Sequence, residues 1–400
     1  MTLLLILRRS LRQHALSTTI TALSIALAGG LLMSVWVVKE QSQTAFTQVN
    51  TGFDAVLGAR GSKLQLVLNA IFHLEASPGN LEAKDYEFIR RHPAVKRAIP
   101  IAVGDNLRGY RIVGTVPELF TDVEYAPGKK FSFAVGKLFN PAANEAVVGS
   151  FVARKLGLRV GDVFHPFHGL TYDEQNQHAE TYRVTGVLAP SGTPADKVVW
   201  IPLNGLQTMS GHDARAADEL SAVLIQLRSP SAGFMLDLMY NKQGNRLTFA
   251  YPIGAIMAEL FGKIGWFDKV LTLIAYLVAL VSAAGVLVAI YNSMAARRRD
   301  IAILRALGAG RGLLFGAIVL EAATIGAIGM IAAFGVYLAI ATAVAAVIRA
   351  QTGVLLDPFA RNAIMLWAPL GMIALCALCG LLPAWKAYRT DVAENLAPVS

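Results

Sequence analysis

A membrane protein of four transmembrane α-helices, with a large α+β domain inserted between helices 1 and 2, is the fold class this sequence predicts. Three observations predict it. Four apolar stretches, 16–38, 267–291, 313–348 and 363–387, each reach the roughly 20 residues a helix needs to cross a bilayer. Residues 39–266, between the first two stretches, have an ordinary mixed composition and suffice for a folded domain with its own core. The 400-residue chain is 54% hydrophobic and only 16% charged, with a mean hydropathy of +0.49, which excludes an ordinary soluble globule.

Residues 1–15 read as a basic N-terminal helix carrying Arg8, Arg9 and Arg12. The apolar run that follows contains Ala26-Leu27-Ala28, which has the look of a small-residue cleavage site. It continues through Leu31, Leu32, Val35, Trp36 and Val38, too far for a signal-peptide core, so 16–38 is expected to stay as the first span.

The charges divide along the same boundaries. From Lys39 to Lys269 there are 24 basic and 22 acidic side chains. In the proposed cytoplasmic pieces, Arg8, Arg9, Arg12, Arg297, Arg298, Arg299, Arg305, Arg311, Lys386 and Arg389 face only Asp300, Asp391 and Glu394. Under the positive-inside rule both termini are cytoplasmic and the large domain is extracytoplasmic. The net charge of +9 is thus a topology signal, and no nucleic-acid partner is implied. Trp36, Trp266 and Trp367 near the outer ends, with Tyr291, Trp385 and Tyr388 near the inner ends, suit interfacial aromatic belts.

In the domain, 39–57 and 252–268 are expected to be helical stalks. Leu81 to Arg91 reads as a helix, and Ala98 to Val103 and Leu107 to Val116 as strands joined at Gly104-Asp105-Asn106. Tyr182 to Leu188 and Lys197 to Ile201 read as a second strand pair across a Pro190–Pro194 loop, and Ser221 to Leu227 as a further strand. A subdomain of about 120–180 is expected, with strand Glu145 to Val148, helix Ser150 to Leu156, a Gly157 stop and a turn at Val160-Gly161-Asp162.

Between the second and third spans, residues 292–312 predict a cytoplasmic amphipathic helix. Ile301, Leu304 and Leu307 recur at helical spacing, Arg297, Arg298, Arg299 and Arg305 surround them, and Gly308 and Gly310 suit a helix stop. The arginines alone would anchor the segment at anionic membrane lipid. An ordered apolar stripe goes further and suits docking of a cytoplasmic partner. Residues 349–362 form a short outer loop, and 388–400 a cytoplasmic tail. Cys376 and Cys379 both fall in the fourth span, where they read as small packing residues, and the domain has no cysteine for a disulfide.

These features resemble the MacB/FtsX-like permeases, membrane subunits of mechanotransmitting ABC systems that include the LolC/LolE-type proteins. The resemblance is carried by Arg297 to Ala309, Leu320-Glu321-Ala322, the basic helix around Arg8 to Arg12, Pro383-Ala384 and the closing 391–396 segment. In the domain it is carried by 145–150, 156–162 and 182–187, together with the order of elements: one span, large domain, three spans. The resemblance implies a MacB-like periplasmic domain, location in the cytoplasmic (inner) membrane and a homodimer. It further implies that Arg297, Arg298, Arg299, Asp300, Ile301, Leu304, Arg305, Leu307 and Gly308 couple to a separate cytoplasmic ABC ATPase. No G-x-x-x-x-G-K-[ST] run occurs here, and Gly58 to Lys63 lacks the spacing, so ATP and Mg are expected on the partner and no cofactor or catalytic residue on this chain. Residues 52–80 depart from the family's pattern. A periplasmic or outer-membrane partner is compatible with this reading, as is an FtsX-like regulator of an extracytoplasmic hydrolase, a permease linked to periplasmic metal handling, or a membrane-anchored binding module.

Two other features bear on function. Glu321 is an intramembrane polar residue, placed near the inner leaflet, where pairing suits it as well as a transport role does. Gly326, Gly329 and Gly335 in the third span permit close helix approach, within the bundle or across a dimer. In the domain, His165, His168 and His178, with Asp173 and Glu174 between them, are candidate metal ligands on a loop between strands; loops of this composition are more often simply solvated. No nucleophile-elbow pattern supports a hydrolase.

Overall fold

The computed structural model describes residues 3–13, 15–47, 52–210, 218–296, 303 and 309–389. They fall into two compact units, one built from Met1–Gln41, Ile264–Ala346 and Asp357–Ser400, the other from Ser42–Lys263 and Val347–Leu356.

The first unit is helical. Among the described residues, four helices are long and apolar enough to cross a membrane: Ala15–Thr47, Ile253–Asn292, Arg311–Thr352 and Ile364–Lys386. A shorter helix, Leu3–Gln13, precedes them with Arg8, Arg9 and Arg12 exposed. The bundle's interior is made of Ile25, Met33, Ala275, Ala279, Ala322, Ile325, Met330 and Cys376. Alanines are frequent among them because helices in lipid gain from close contact and not from escape from water.

The second unit is an α+β domain around one mixed sheet. Its strands run in the order Leu247–Ala250, Ala55–Ala59, Ala222–Leu227, Val95–Leu107, Tyr110–Thr115, Val199–Pro202, Glu145–Val148, Tyr182–Leu188, Phe133–Gly136. Neighbours are antiparallel except Val199–Pro202 beside Tyr110–Thr115 and Tyr182–Leu188 beside Glu145–Val148, which are parallel. Alternation along the strands sends side chains to two faces. Val56, Ile99, Ile101, Val113, Val147, Trp200 and Leu224 line one core, under helix Lys63–Ala70. On the other face, Ala55, Leu57, Val223 and Ile225 meet Ile89 and Leu236, while Ile112, Ala146, Val148 and Val199 meet Val152 and Leu206.

Several local expectations change in the tertiary context. The stretch 120–180 is no separate subdomain, since its strands Phe133–Gly136 and Glu145–Val148 are integral to the same sheet. Strand Tyr182–Leu188 does not pair with Val199–Pro202, because Glu145–Val148 lies between them. Within the stalk expected over 39–57, a described helix runs to Thr47 and residues 48–51 lie outside the described residues, while Ala55–Ala59 is a strand held on both edges. Residues 81–91 begin with a two-residue strand, Leu81–Glu82, before helix Ala83–Arg90. Gly104-Asp105-Asn106 is not a turn: Val95–Leu107 is one strand with a bulge between Val103 and Asp105, and the chain reverses at Arg108-Gly109, both at positive φ. Gly157 does end its helix, at φ 70°.

Candidate functional site

The most concentrated chemistry among the described residues is built on that bulge. Strand Phe167–His168 pairs antiparallel with the bulged strand, and the register sets His168 directly across from Asp105 and Phe167 across from Asn106. The Asn106 side-chain amide reaches the carbonyls of Phe167, Gly169 and Thr171 at 3.3, 2.9 and 3.2 Å, and its Oδ1 accepts from Gly109 N–H at 2.9 Å. One buried amide thereby fastens the loop to the hairpin. His178 is brought in by its own N–H, which donates to the Pro166 carbonyl at 2.9 Å.

Asp105, His168 and His178 each offer a ligand atom, and these atoms lie within 4.8 Å of one another. The Asp105 side chain is 0% exposed. Its Oδ1 lies 3.2 Å from His178 Nε2 and 3.4 Å from His168 Nδ1. His178 is almost wholly buried, whereas the His168 side chain is 55% exposed, so the cluster has an interior floor and an open rim. The two rings stand nearly perpendicular with centroids 5.4 Å apart. A buried carboxylate of this kind is stable only with cationic or hydrogen-bonding company.

Of the three histidines singled out by spacing, two converge. His165 turns away, and its Nδ1 donates to the Glu180 carbonyl at 3.1 Å. Asp173 and Glu174 serve the loop itself: Asp173 caps it by accepting from Gln175 N–H at 3.0 Å, and Glu174 accepts from the Tyr172 hydroxyl at 3.1 Å. Asp105, read from sequence as part of a turn, supplies the carboxylate instead.

The expected ATPase-coupling residues, Arg297, Arg298, Arg299, Asp300, Ile301, Leu304, Arg305, Leu307 and Gly308, lie outside the described residues. Glu321 accepts a hydrogen bond from the hydroxyl of Ser10, itself 1% exposed, so the carboxylate fastens the N-terminal helix to the third spanning helix. Gly329 lies against Ile25, and Gly326 against Cys376, which places both glycines and one cysteine in packing within the bundle; Gly335 has open space beside it. Both cysteines are free thiols.

A second feature escaped sequence reading. The outer loop is not a bare connection, because Val347–Leu356 belongs to the domain. Helix Arg311–Thr352 ends where Gly353 N–H bonds to the Arg349 carbonyl at 2.9 Å, and Gly353 adopts φ 79°. Val354, 3% exposed, then enters the core beside Ala195 and Trp200. Lys197 donates to the Gln351 carbonyl at 2.6 Å, and its burial lowers its pKa. Ile253, Ile256 and Met257, at the start of helix Ile253–Ala296, enter the same core, and Phe46 packs on Phe72 and Phe261. An apolar residue inside a loop expected to be exposed was the available signal.

His73 also faces this core, edge-on to Trp200 with centroids 5.6 Å apart. Burial, then the nearby Arg111 charge, pushes its pKa down to about 3.

Comparison with known proteins bears on the whole chain. Among solved structures, the extracellular domain of the noncanonic ABC-type transporter YknZ from Gram-positive bacteria is similar at 17% identity, covering 48% of this chain and 97% of that one, with a TM-score of 0.31. The periplasmic region of MacB from Actinobacillus actinomycetemcomitans is similar at 10% identity, covering 53% and 94%, with a TM-score of 0.35. Curated proteins yield no match. The pattern of the MacB-like periplasmic core domain matches residues 17–233, more than half of the chain, and that of the FtsX-like permease C-terminal region matches 272–392.

Proposed function

The chain belongs to the MacB/FtsX-like family of ABC permeases, and from that premise we propose that it is the non-catalytic permease subunit of a mechanotransmitting machine. It is a membrane protein with an extracytoplasmic domain of the MacB type. In this reading a separate cytoplasmic ABC ATPase, which binds ATP and Mg, docks on the 297–308 segment. Two copies of the permease close and open with it. The extracytoplasmic domains then move cargo, or a partner beyond the membrane.

One observation carries the reading. Three chain segments that continue into spanning helices, Ser42–Thr47, Ile253–Lys263 and Val347–Leu356, are built into the domain itself. Val354 and Met257 are buried in its core, and Phe46 packs against that core. A displacement of the spanning helices is then received by a well-packed interior and not by slack linkers, and packed interiors transmit strain. Single-point attachment would leave the domain free to pivot.

The test is copurification from the native membrane in mild detergent. The wild-type chain is expected to retain an ABC ATPase, and Leu304→Asp to lose it while hydrogen exchange of the domain's sheet is unchanged. Full ATPase retention by Leu304→Asp would refute docking through this segment.

A further inference from the structure

We propose that Asp105, His168 and His178 form a binding site for a divalent transition metal of the zinc class, which ties the 163–178 excursion to the bulged strand of the extracytoplasmic domain. The first argument is the tautomer of His178. Its Nδ1 lies 2.6 Å from the carbonyl oxygen of Ser210, an atom that only accepts, so Nδ1 carries the proton. In the neutral ring Nε2 is then a lone pair, and it points at a carboxylate oxygen 3.2 Å away. Two acceptors face one another across that gap, and a cation between them removes the repulsion. Metal-bound imidazoles commonly donate their other ring N–H to a carboxylate or a backbone carbonyl, which fixes the tautomer and the ring orientation.

The spacing of the three ligand atoms is the second argument. A proton on His178 would satisfy one pair only, yet His168 Nδ1 approaches the same Asp105 Oδ1 at 3.4 Å. A neutral His168 carrying its proton on Nδ1, beside a single imidazolium at His178, would also serve both pairs, so the spacing of the ligand atoms is what favours a metal. A single ion serves all three. Ligand atoms around a tetrahedral zinc, at bonds of about 2.0–2.1 Å, are separated by about 3.3 Å. The two separations from Asp105 Oδ1 have that length.

The donor set selects the class of metal. Two imidazoles and one carboxylate suit zinc and its neighbours, whereas magnesium and calcium seek oxygen ligands. The His168 side chain is 55% exposed, which suits an exchangeable site better than a closed one.

The experiment uses the full chain in mild detergent, purified through a histidine-free tag, stripped with EDTA and loaded with Zn2+ or Co2+ alone. Bound zinc is counted by mass spectrometry after gel filtration, and Co2+ is followed by its visible absorption. Wild type is expected to hold one zinc per chain and to show the intense band of tetrahedral cobalt. Asp105→Asn and His168→Ala should each weaken binding by roughly tenfold or more, and His165→Ala should bind as wild type. The exposed position of His168 keeps its variant folded, which an unchanged gel-filtration profile checks. Absence of stoichiometric metal in wild type, or undiminished binding by His168→Ala, would overturn the proposal and leave Asp105 as an acceptor for protonated rings. Neither result depends on the presence of an ATPase partner.

Discussion

The spanning bundle and the extracytoplasmic domain both pack closely, at glycines in each, but they differ in how many large aliphatic residues they leave exposed. In the bundle, helices approach closely at glycines: a Cβ on Gly329 would lie 2.6 Å from the Ile25 Cβ and 3.0 Å from the Ala22 carbonyl oxygen. Leu23, Leu27 and Ile331 are meanwhile exposed. In the domain, Leu57, Ile99, Ile101 and Ile225 are almost wholly buried. The difference follows from the two solvents. Lipid tails are as apolar as leucine, so the bundle gains from contact and backbone proximity, while in water the domain gains from removing apolar area.

The largest effect that would test this contrast is a cavity in the domain. Leu57→Ala is expected to cost about 2–5 kcal/mol, seen as faster hydrogen exchange across Ala55–Ala59 and its neighbour Ala222–Leu227, with the bundle unaffected. A smaller effect is expected for enlargement in the bundle. Gly329→Val should cost about 1–3 kcal/mol, measured as a lower unfolding temperature in detergent. Gly335→Val, with nothing within 4 Å of the added Cβ, should leave that temperature unchanged. Equal effects at the two glycines would remove the packing argument.

A third effect concerns acid and grows only as pH falls. His73 has a pKa of about 3 in the folded domain and an ordinary value of 6.5 when unfolded. Below pH 6.5 the unfolded chain takes up a proton that the folded one refuses. The stability is therefore complete above pH 6.5 and falls, by at most about 1.4 kcal/mol per pH unit, as pH drops toward 3. Hydrogen exchange of the Val199–Pro202 strand at pH 7 and pH 5, corrected for intrinsic rates, should show the loss. His73→Asn, which tolerates the positive φ of this position, should reduce the pH dependence.

Local chemistry made part of this molecule legible in advance. The four spans follow from apolar length. Glu145–Val148, Ser150–Leu156 and the Gly157 stop follow from periodicity and from a left-handed position that glycine fills without strain. The histidine loop was legible as a cluster of metal-type donors, of which the structure brings His168 and His178 together with Asp105 and leaves His165 apart. Gly-Asp-Asn at 104–106 has the composition of a turn, and nothing local distinguishes a turn from a bulge whose polar side chains are buried by a loop arriving from residues 167–171.

Hydropathy, charge asymmetry and family pattern, all sums over neighbouring residues, determined from the sequence alone that this is a four-span permease with an extracytoplasmic domain. Contacts between distant segments belong to the tertiary structure. It decided that residues 120–180 join the main sheet, that Val354 is a core residue, and that Glu321 holds Ser10. It also placed Asp105 between two histidines, because strand register aligns residues far apart in the chain, and no local preference of either partner encodes that alignment.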